Sequence, residues 1–304
     1  MPTRVVPRWR CLLALGLCLG LGLGLGLGFA QAQTSSEAAQ RLQTQRNTLD
    51  QQLQHNLFAR PLVLHSSQTA QGLRGDMYAL MPFAFASVSS ALQDPQQWCE
   101  VMILHLNTKY CHAVTSPRGT LVNLNIGSKT PQALAQSTRV TLAYTVAASQ
   151  PDYFEVQLNA LEGPMGTSDY QIALQAVALT PNQTFLHLTY AYSANLAARM
   201  AMQMYLATVG SDKVGFTVTG QSADGQPVLI KGVRAVVERN TMRYYLAIDS
   251  YLASSQQPTA SRVEASLQSW FSAAEKYPRQ LHEVTQPAYL AMKRAEHLRQ
   301  QTAQ

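Results

Sequence analysis

Four stretches decide the fold of this chain: RVTLAYTVA (139–147), DYFEVQLNA (152–160), SDYQIALQAVA (168–178) and TFLHLTYAYS (184–193). Each is rich in β-branched, aromatic and apolar residues and has the length of a strand. Gln150-Pro151-Asp152, Glu162-Gly163-Pro164-Met165-Gly166 and Thr180-Pro181-Asn182 separate them, and every break holds Pro with Gly, Asn or Asp close by, as turn chemistry requires. Connections this short favour neighbouring antiparallel pairs, so the region reads as a meander.

Upstream, Leu62-Val63-Leu64 and Met77-Tyr78-Ala79-Leu80-Met81 flank Gly72 and Gly75 and read as a hairpin. From Phe83 the period changes. Phe85, Val88 and Leu92 step at helical spacing, and Asp94-Pro95 breaks the run into a loop that carries Trp98 and ends at Cys99. Residues 101–113 read as a strand with two unlike faces, one of them holding His105, Asn107 and Lys109, and residues 120–127 as a further strand. Downstream, 194–209 reads as a helix apolar nearly all round. A hairpin follows, turning at Asp224-Gly225, then a long helix over 233–253 and two amphipathic helices over roughly 262–276 and 279–300, the second interrupted by Pro287.

This order of strand pair, short helix, antiparallel meander and apolar helix resembles the helix-grip domains of the START and Bet v 1-like superfamily. The resemblance covers roughly residues 62–251 and includes the run Pro82–Trp98 after a strand, where such domains place their short helices. It implies an α+β fold, a curved antiparallel sheet gripping a long helix, with a tunnel for lipids or other apolar ligands between them. Two helices, 194–209 and 233–253, compete for the gripping role. The chain divides into a signal peptide (1–32), an N-terminal helix or arm (33–57), a START-like domain (58–253) and a C-terminal helical extension (254–304), which could cap the pocket or dock a partner.

The N-terminal segment points to export. Arg4, Arg8 and Arg10 precede an apolar run from Cys11 to Phe29 that closes on Ala30-Gln31-Ala32. A basic head, an apolar middle and a small-x-small site in that order form a secretory signal. The alternative is a retained membrane anchor, although Gly16, Gly20, Gly22, Gly24, Gly26 and Gly28 dilute the run. The expected location is the bacterial periplasm. Without the three signal arginines the 23 basic residues fall to 20, against 17 acidic, a balance that gives no argument for nucleic acid. Cys99 and Cys111, with eleven residues between them, read as a disulfide in an oxidising compartment.

The candidate ligand-binding residues are Trp98, His105, Lys109, Tyr144, Glu155, Tyr170, His187, Tyr190, Tyr192, Met200, Met204 and Arg239. Met200, Met202 and Met204 offer soft thioethers suited to a greasy, shape-variable ligand, or ordinary core. His105 and Lys109 could meet a ligand's polar head if their strand face lines the cavity. Glu155, Tyr170, His187, Tyr190 and Tyr192 could form a polar network inside a tunnel and orient a hydroxyl-bearing ligand. Arg239 and Arg243 share one helix face, able to bind an anionic head group or to form a surface salt-bridge stripe. No catalytic motif is present: the chain has no Gly-x-Ser-x-Gly elbow, no His-Glu-x-x-His and no phosphate loop, and its histidines lack metal-ligand spacing. No enzyme, cofactor or metal is expected.

The first reading is therefore a periplasmic binder or carrier of a hydrophobic small molecule such as a lipid, sterol or hopanoid, with transient membrane or envelope-protein contact. Rival readings are a scaffold docking through its C-terminal helices and a cyclase- or hydrolase-type enzyme. A carrier implies an enclosed apolar cavity. A scaffold implies a filled core and an exposed apolar patch on residues 262–300.

Overall fold

The computed structural model describes residues 1, 25–70, 72–208 and 211–302. The proposed signal segment, its basic head and most of its apolar run, thus lies largely outside the described residues. In chain order the elements are α1 (Leu25–Thr48), α2 (Asp50–Gln54), β1 (Leu62–Gln68), β2 (Gly72–Met81), α3 (Phe85–Leu92), α4 (Pro95–Met102), β3 (Thr108–Ser116) and β4 (Gly119–Ile126). The expected meander follows as β5 (Thr138–Ser149), β6 (Tyr153–Glu162), β7 (Thr167–Thr180) and β8 (Gln183–Ala194). The chain continues with α5 (Leu196–Ala207), β9 (Val218–Gln221), β10 (Pro227–Leu229), α6 (Gly232–Ser254), α7 (Thr259–Ala274), α8 (Pro278–Leu281) and α9 (Gln286–Thr302).

Eight strands form one antiparallel sheet in the order β1-β2-β8-β7-β6-β5-β4-β3, and β9–β10 is a separate hairpin. The pairing of β2 with β8 joins the early hairpin to the far end of the meander. Register sorts the side chains into faces. Met77, Leu188, Leu174 and Val156 are cross-strand partners in one row, and all are fully buried on the concave side. The adjacent row, Tyr78, His187, Gln175 and Glu155, points to the convex side because strand side chains alternate.

The long helix α6 lies in the concavity, against β1, β2 and β8. Val237, Met242, Tyr245, Leu246 and Ile248 bury completely or nearly so. Gly75 on β2 permits the close approach: a Cβ there would collide with the Thr241 hydroxyl of α6. Glu238, also buried, ties α6 to its surroundings, accepting from Ser66 Oγ at 2.6 Å, Thr217 Oγ1 at 2.6 Å and the Phe216 amide at 2.5 Å. The competition for the gripping role is thus resolved in favour of 233–253. The rival helix α5 sits at the surface, with Leu196, Met200 and Met204 exposed by 64, 55 and 71 %.

Two further layers complete the body. On the convex side α1 and α2 contribute Ala39, Leu42, Leu49 and Leu53 to a second, smaller core with Val63, Tyr153, Val177 and Phe185. On the other side of α6, the C-terminal helices pack into the main core through Leu267, Trp270, Tyr289 and Met292. Trp270 and Tyr289 stack with centroids 5.0 Å apart, and the Tyr289 hydroxyl donates to Leu104 O at 2.9 Å. Pro287 does not interrupt α9; it occupies its first turn, where a missing N–H costs nothing.

The segment around Cys99 departs from expectation. Asp94-Pro95 starts a helix instead of breaking one: the Asp94 carboxylate caps the Gln96 amide at 2.8 Å, and Pro95 stands in the first turn. Helix α4 runs through Cys99 to Met102, tight turns follow, and β3 begins only at Thr108. His105 is therefore on a turn, and His105, Asn107 and Lys109 do not form one strand face. The Cys99–Cys111 disulfide is present, with Cα atoms 5.2 Å apart, and pins α4 to β3. Among the described residues no helix is long and apolar enough to cross a membrane.

Candidate ligand-binding site

One end of the grip is aromatic. Tyr190 and Tyr192 alternate with Ala191 on β8 and so face inward together, beside Tyr170 of β7. Tyr170 stacks on Tyr192 at 5.3 Å, and Tyr190 lies 5.2 Å from Tyr244 of α6. Tyr244 in turn stacks on His105 at 4.9 Å. Burial raises the hydroxyl pKa of Tyr170, Tyr190, Tyr192 and Tyr244, so all four are neutral donors at physiological pH. Tyr190 and Tyr170 hydrogen-bond to each other, and Thr167 Oγ1 donates to the Tyr170 oxygen at 3.0 Å. The turn at 163–166 closes over this cluster. A Cβ at Gly163 would collide with the Tyr170 ring, and Asn195, leading into α5, packs against Gly166. Exposed Leu161, Met165, Leu196, Met200 and Met204 gather around the same turn and helix.

Among the described residues, the buried side-chain atoms without a hydrogen-bond partner include His105 Nε2 and the Tyr144 hydroxyl. His105 Nδ1 accepts from the Asn107 amide at 3.2 Å, which puts the ring proton on Nε2, and Nε2 is unsatisfied. Burial, then the charges of Arg243, Lys293, Lys129 and Lys109, drive the His105 pKa well down and keep the ring neutral. The Tyr144 hydroxyl on β5 is also buried and unsatisfied. Orphaned buried groups of this kind mark places where a water or ligand atom belongs.

The remaining expected residues divide. Trp98 is buried on α4, its Nε1 donating to Leu92 O at 2.7 Å, and it fastens the α3–α4 corner. Lys109 is fully buried with its ammonium group committed to Glu296 at 2.9 Å and to backbone oxygens, so it does not face a ligand. Arg239 is buried on α6, donating to Val214 O at 3.1 Å, near Tyr192. It is no surface stripe.

Glu155 and His187 lie on the convex face, outside the grip, because the register row described above points them away from α6. There His187 Nε2 meets Asp76 at 2.8 Å and Nδ1 meets Gln175 Oε1 at 3.1 Å, while Gln175 donates to Glu155 at 3.0 Å. Burial alone would raise the Asp76 pKa, but His187, Arg74 and Thr189 hold it far below the carboxylate range. Met200 and Met204 are surface residues of α5 and line no buried pocket. The exposed apolar patch that a scaffold would need on residues 262–300 is not seen among the described residues, where Leu298 is the one large apolar side chain of that stretch that stands exposed. Leu196, Met200 and Met204 of α5 lie exposed together with Leu161 and Met165 of the neighbouring turn.

The concave face is densely filled. Open clefts of about 400 and 420 Å³ lie at its margins, one beside α5 and the start of α6 (Gln203, Lys213, Lys231, Arg234) and one bordering the tyrosine cluster, lined by Asn159, Leu161, Asp169 and Tyr170. What sequence reading did not place in the site was Tyr244, in a helix otherwise marked by charges, and the C-terminal carboxylates that meet Arg243 and Lys109 from 40 and 187 positions away in the chain.

No family model matches the chain, and no curated protein does. Among solved structures it is similar to norcoclaurine synthase from Thalictrum flavum, at 11 % identity over 47 % of this chain and 89 % of that one, TM-score 0.33. It is similar to the Zhui aromatase/cyclase from Streptomyces sp. R1128, at 12 % identity over 70 % and 99 %, TM-score 0.32. It is also similar to human StAR-related lipid transfer protein 5, at 9 % identity over 52 % and 83 %, TM-score 0.28. By its own strand order and by the helix held in the sheet's concavity, the chain has an α+β helix-grip, START-like fold.

Proposed function

We propose that this protein is an exported, non-catalytic binder of a hydrophobic small molecule, held between the concave sheet face and α6. The tyrosine cluster carries the reading. Tyr170, Tyr190, Tyr192 and Tyr244 place broad apolar rings with polar tips at one end of the grip. Such side chains suit a ligand with a greasy body and a few hydroxyls. In the free chain these rings fill the space themselves. A ligand enters by swinging Tyr170 away from β8, and the unsatisfied Tyr144 hydroxyl and His105 N–H give its polar atoms partners. Flexible, exposed methionines on α5 stand where the ligand arrives, and transient contact with a membrane or envelope protein falls to that face. Export to the periplasm is supported by the signal-like N-terminus and by the disulfide, which needs an oxidising compartment.

The test is native mass spectrometry of the mature protein purified from its envelope, followed by organic extraction. A discrete co-purifying mass that identifies as a lipid, sterol or hopanoid is the expected result. An unliganded protein that also fails to take up such compounds overturns the reading.

A further inference from the structure

The open cleft of about 400 Å³ beside α5 collects three cations: Lys213 from the connection between α5 and β9, Lys231 immediately before α6, and Arg234 in its first turn. Gln68, Gln203 and Leu206 also line it, and no Asp or Glu does. Each cation is steadied by a neutral backbone oxygen. Lys231 Nζ donates to Ser211 O at 3.2 Å, Arg234 Nη2 to Ser66 O at 2.9 Å, and Lys213 Nζ to His282 O at 2.7 Å. Lys213 lies 3.4 Å from Glu283, so its charge is partly balanced. Lys231 and Arg234 make no ion pair with any described residue. Glu238, one turn further along α6, shares Ser66 Oγ with Arg234 but is committed to the Phe216 and Thr217 amides.

The helix that borders this recess is apolar towards solvent. While Gln203 and Leu206 of α5 line the cleft, Leu196, Met200 and Met204 follow at four-residue spacing and stand exposed as one stripe. Residues 195–211 contain no acidic residue. An apolar stripe beside a cationic recess supplies both halves of a membrane contact: side chains that enter the acyl boundary, and ammonium and guanidinium groups for the phosphates. A soluble anion would use the recess and leave the stripe exposed, and an apolar protein groove would use the stripe and leave the recess without a counterion. An anionic bilayer uses both.

We propose that Lys213, Lys231 and Arg234 receive the phosphate of an anionic phospholipid head group while Leu196, Met200 and Met204 enter the same leaflet, so that the chain docks on an anionic bilayer through α5. The proposal rests on the membrane contact of the hydrophobic-binder reading and names the lipid that makes it. Nothing in the fold has to move: the cleft is open, only the head group enters it, and the acyl chains stay in the bilayer. Ammonium and guanidinium donors form charge-assisted hydrogen bonds with phosphate oxygens.

The experiment is flotation of the full mature chain with vesicles of phosphatidylcholine alone and of phosphatidylcholine with one part in three phosphatidylglycerol. Binding should be confined to the anionic vesicles and should weaken at least tenfold when the salt is raised tenfold. Each cation close to an anionic surface strengthens binding about fivefold, so Lys231→Ala should weaken it about fivefold and Lys231→Glu about twenty-five-fold. Met200→Ser with Met204→Ser should weaken it at least fivefold. Arg118→Glu, a charge reversal at an exposed residue of the β3–β4 turn, should leave it unchanged. Lys231, Met200 and Met204 are all exposed, and thermal melts without vesicles should show these variants folded like the native chain. Equal binding to both vesicle types, or a loss in Arg118→Glu as large as in Lys231→Glu, overturns the site. Binding to neither, with a melting shift by inorganic phosphate that Lys231→Ala abolishes, gives the recess to a soluble anion and overturns the bilayer. Binding to neither without that shift overturns the recess as well. The binder reading is judged separately by its co-purifying mass: a chain that carries a ligand yet ignores anionic vesicles loses this docking surface alone, and one that docks but carries nothing loses the binder alone.

Discussion

Replacing Glu296 by Gln removes the one carboxylate that separates two fully buried lysines. Its Oε1 lies 2.9 Å from Lys109 Nζ and its Oε2 2.7 Å from Lys293 Nζ. Both ammonium groups are 0 % exposed, and their other partners are neutral: Leu106 O and Thr130 O for Lys109, His105 O and Thr108 O for Lys293. Without the carboxylate, two like charges remain in a low-dielectric site with only carbonyl dipoles around them. Breaking a buried pair in this way costs about 3–5 kcal/mol. For a chain of this size each kcal/mol shifts the melting temperature by roughly 2–4 °C, so the variant should melt about 6–20 °C lower.

The pH dependence gives a second readout. Burial, opposed by Glu296 and reinforced by Lys109, brings the Lys293 pKa down to about 8. Its folded value thus lies below the ordinary lysine value near 10.4, and the unfolded chain holds the proton over the interval between them. Stability from this group therefore rises with pH from about 8 towards 10, above which ionisation of tyrosines in the unfolded chain reverses the trend. In Glu296→Gln the Lys293 pKa falls further, so the deficit measured by urea unfolding should be larger at pH 7 than at pH 9.5. A deficit under about 1 kcal/mol, or one equal at both pH values, would refute the assignment of Glu296 as the charge that holds α9 in place.

Three further outcomes are expected. Reducing the Cys99–Cys111 bridge, which spans 12 positions, or replacing both cysteines by Ala, should cost roughly 3 kcal/mol in the chain-entropy account, read as a lower urea midpoint that dithiothreitol does not lower further in the double variant. Gly75→Ala should destabilise by about 1–3 kcal/mol through its clash with Thr241, and Thr241→Ala in the same chain should recover most of that loss; no recovery would mean that the grip helix does not cross β2 at that point. Asp76 and Glu283 both have depressed folded pKa values, so their contribution is fully present above the ordinary carboxylate range, begins to fade as pH enters that range and is lost as pH falls on through the lower folded values; His187→Ala should blunt the acid-induced loss in a melt series from pH 7 to pH 2.

The meander was legible because each turn carried Pro, Gly or Asn at the point where the chain reverses, and because the strands between them were long. The hairpin and the long helix were legible for similar local reasons. The α4–β3 corner was not: the apolar run Val101–Leu104 followed by the alternation of Leu104, His105, Leu106 and Asn107 imitates a strand, whereas the decisive feature is Asp94 capping a helix that begins at Pro95. Strand faces were harder still. Tyr153 and Phe154 are both fully buried, one against α1 and one against the grip, so the sequence of β6 did not say on which side Glu155 falls. Nor could α5 be read correctly, since a short apolar helix is exposed or buried according to what the rest of the fold leaves open. The convex-face pairing of Asp76 with His187 spans 111 positions, and the approach of Lys129 to Glu283 spans 154. Distances of that order carry no periodic trace.

The contact between Lys109 and Glu296 bridges 187 positions, and it bears on the order in which the body can close. A chain made N-terminus first contains β3 long before α9 exists. During that interval Lys109 lacks the carboxylate it meets in the finished fold, and the walls formed by Trp270 and Tyr289 are missing. The main core therefore cannot be completed strand by strand; its last layer is laid down only with the final helix.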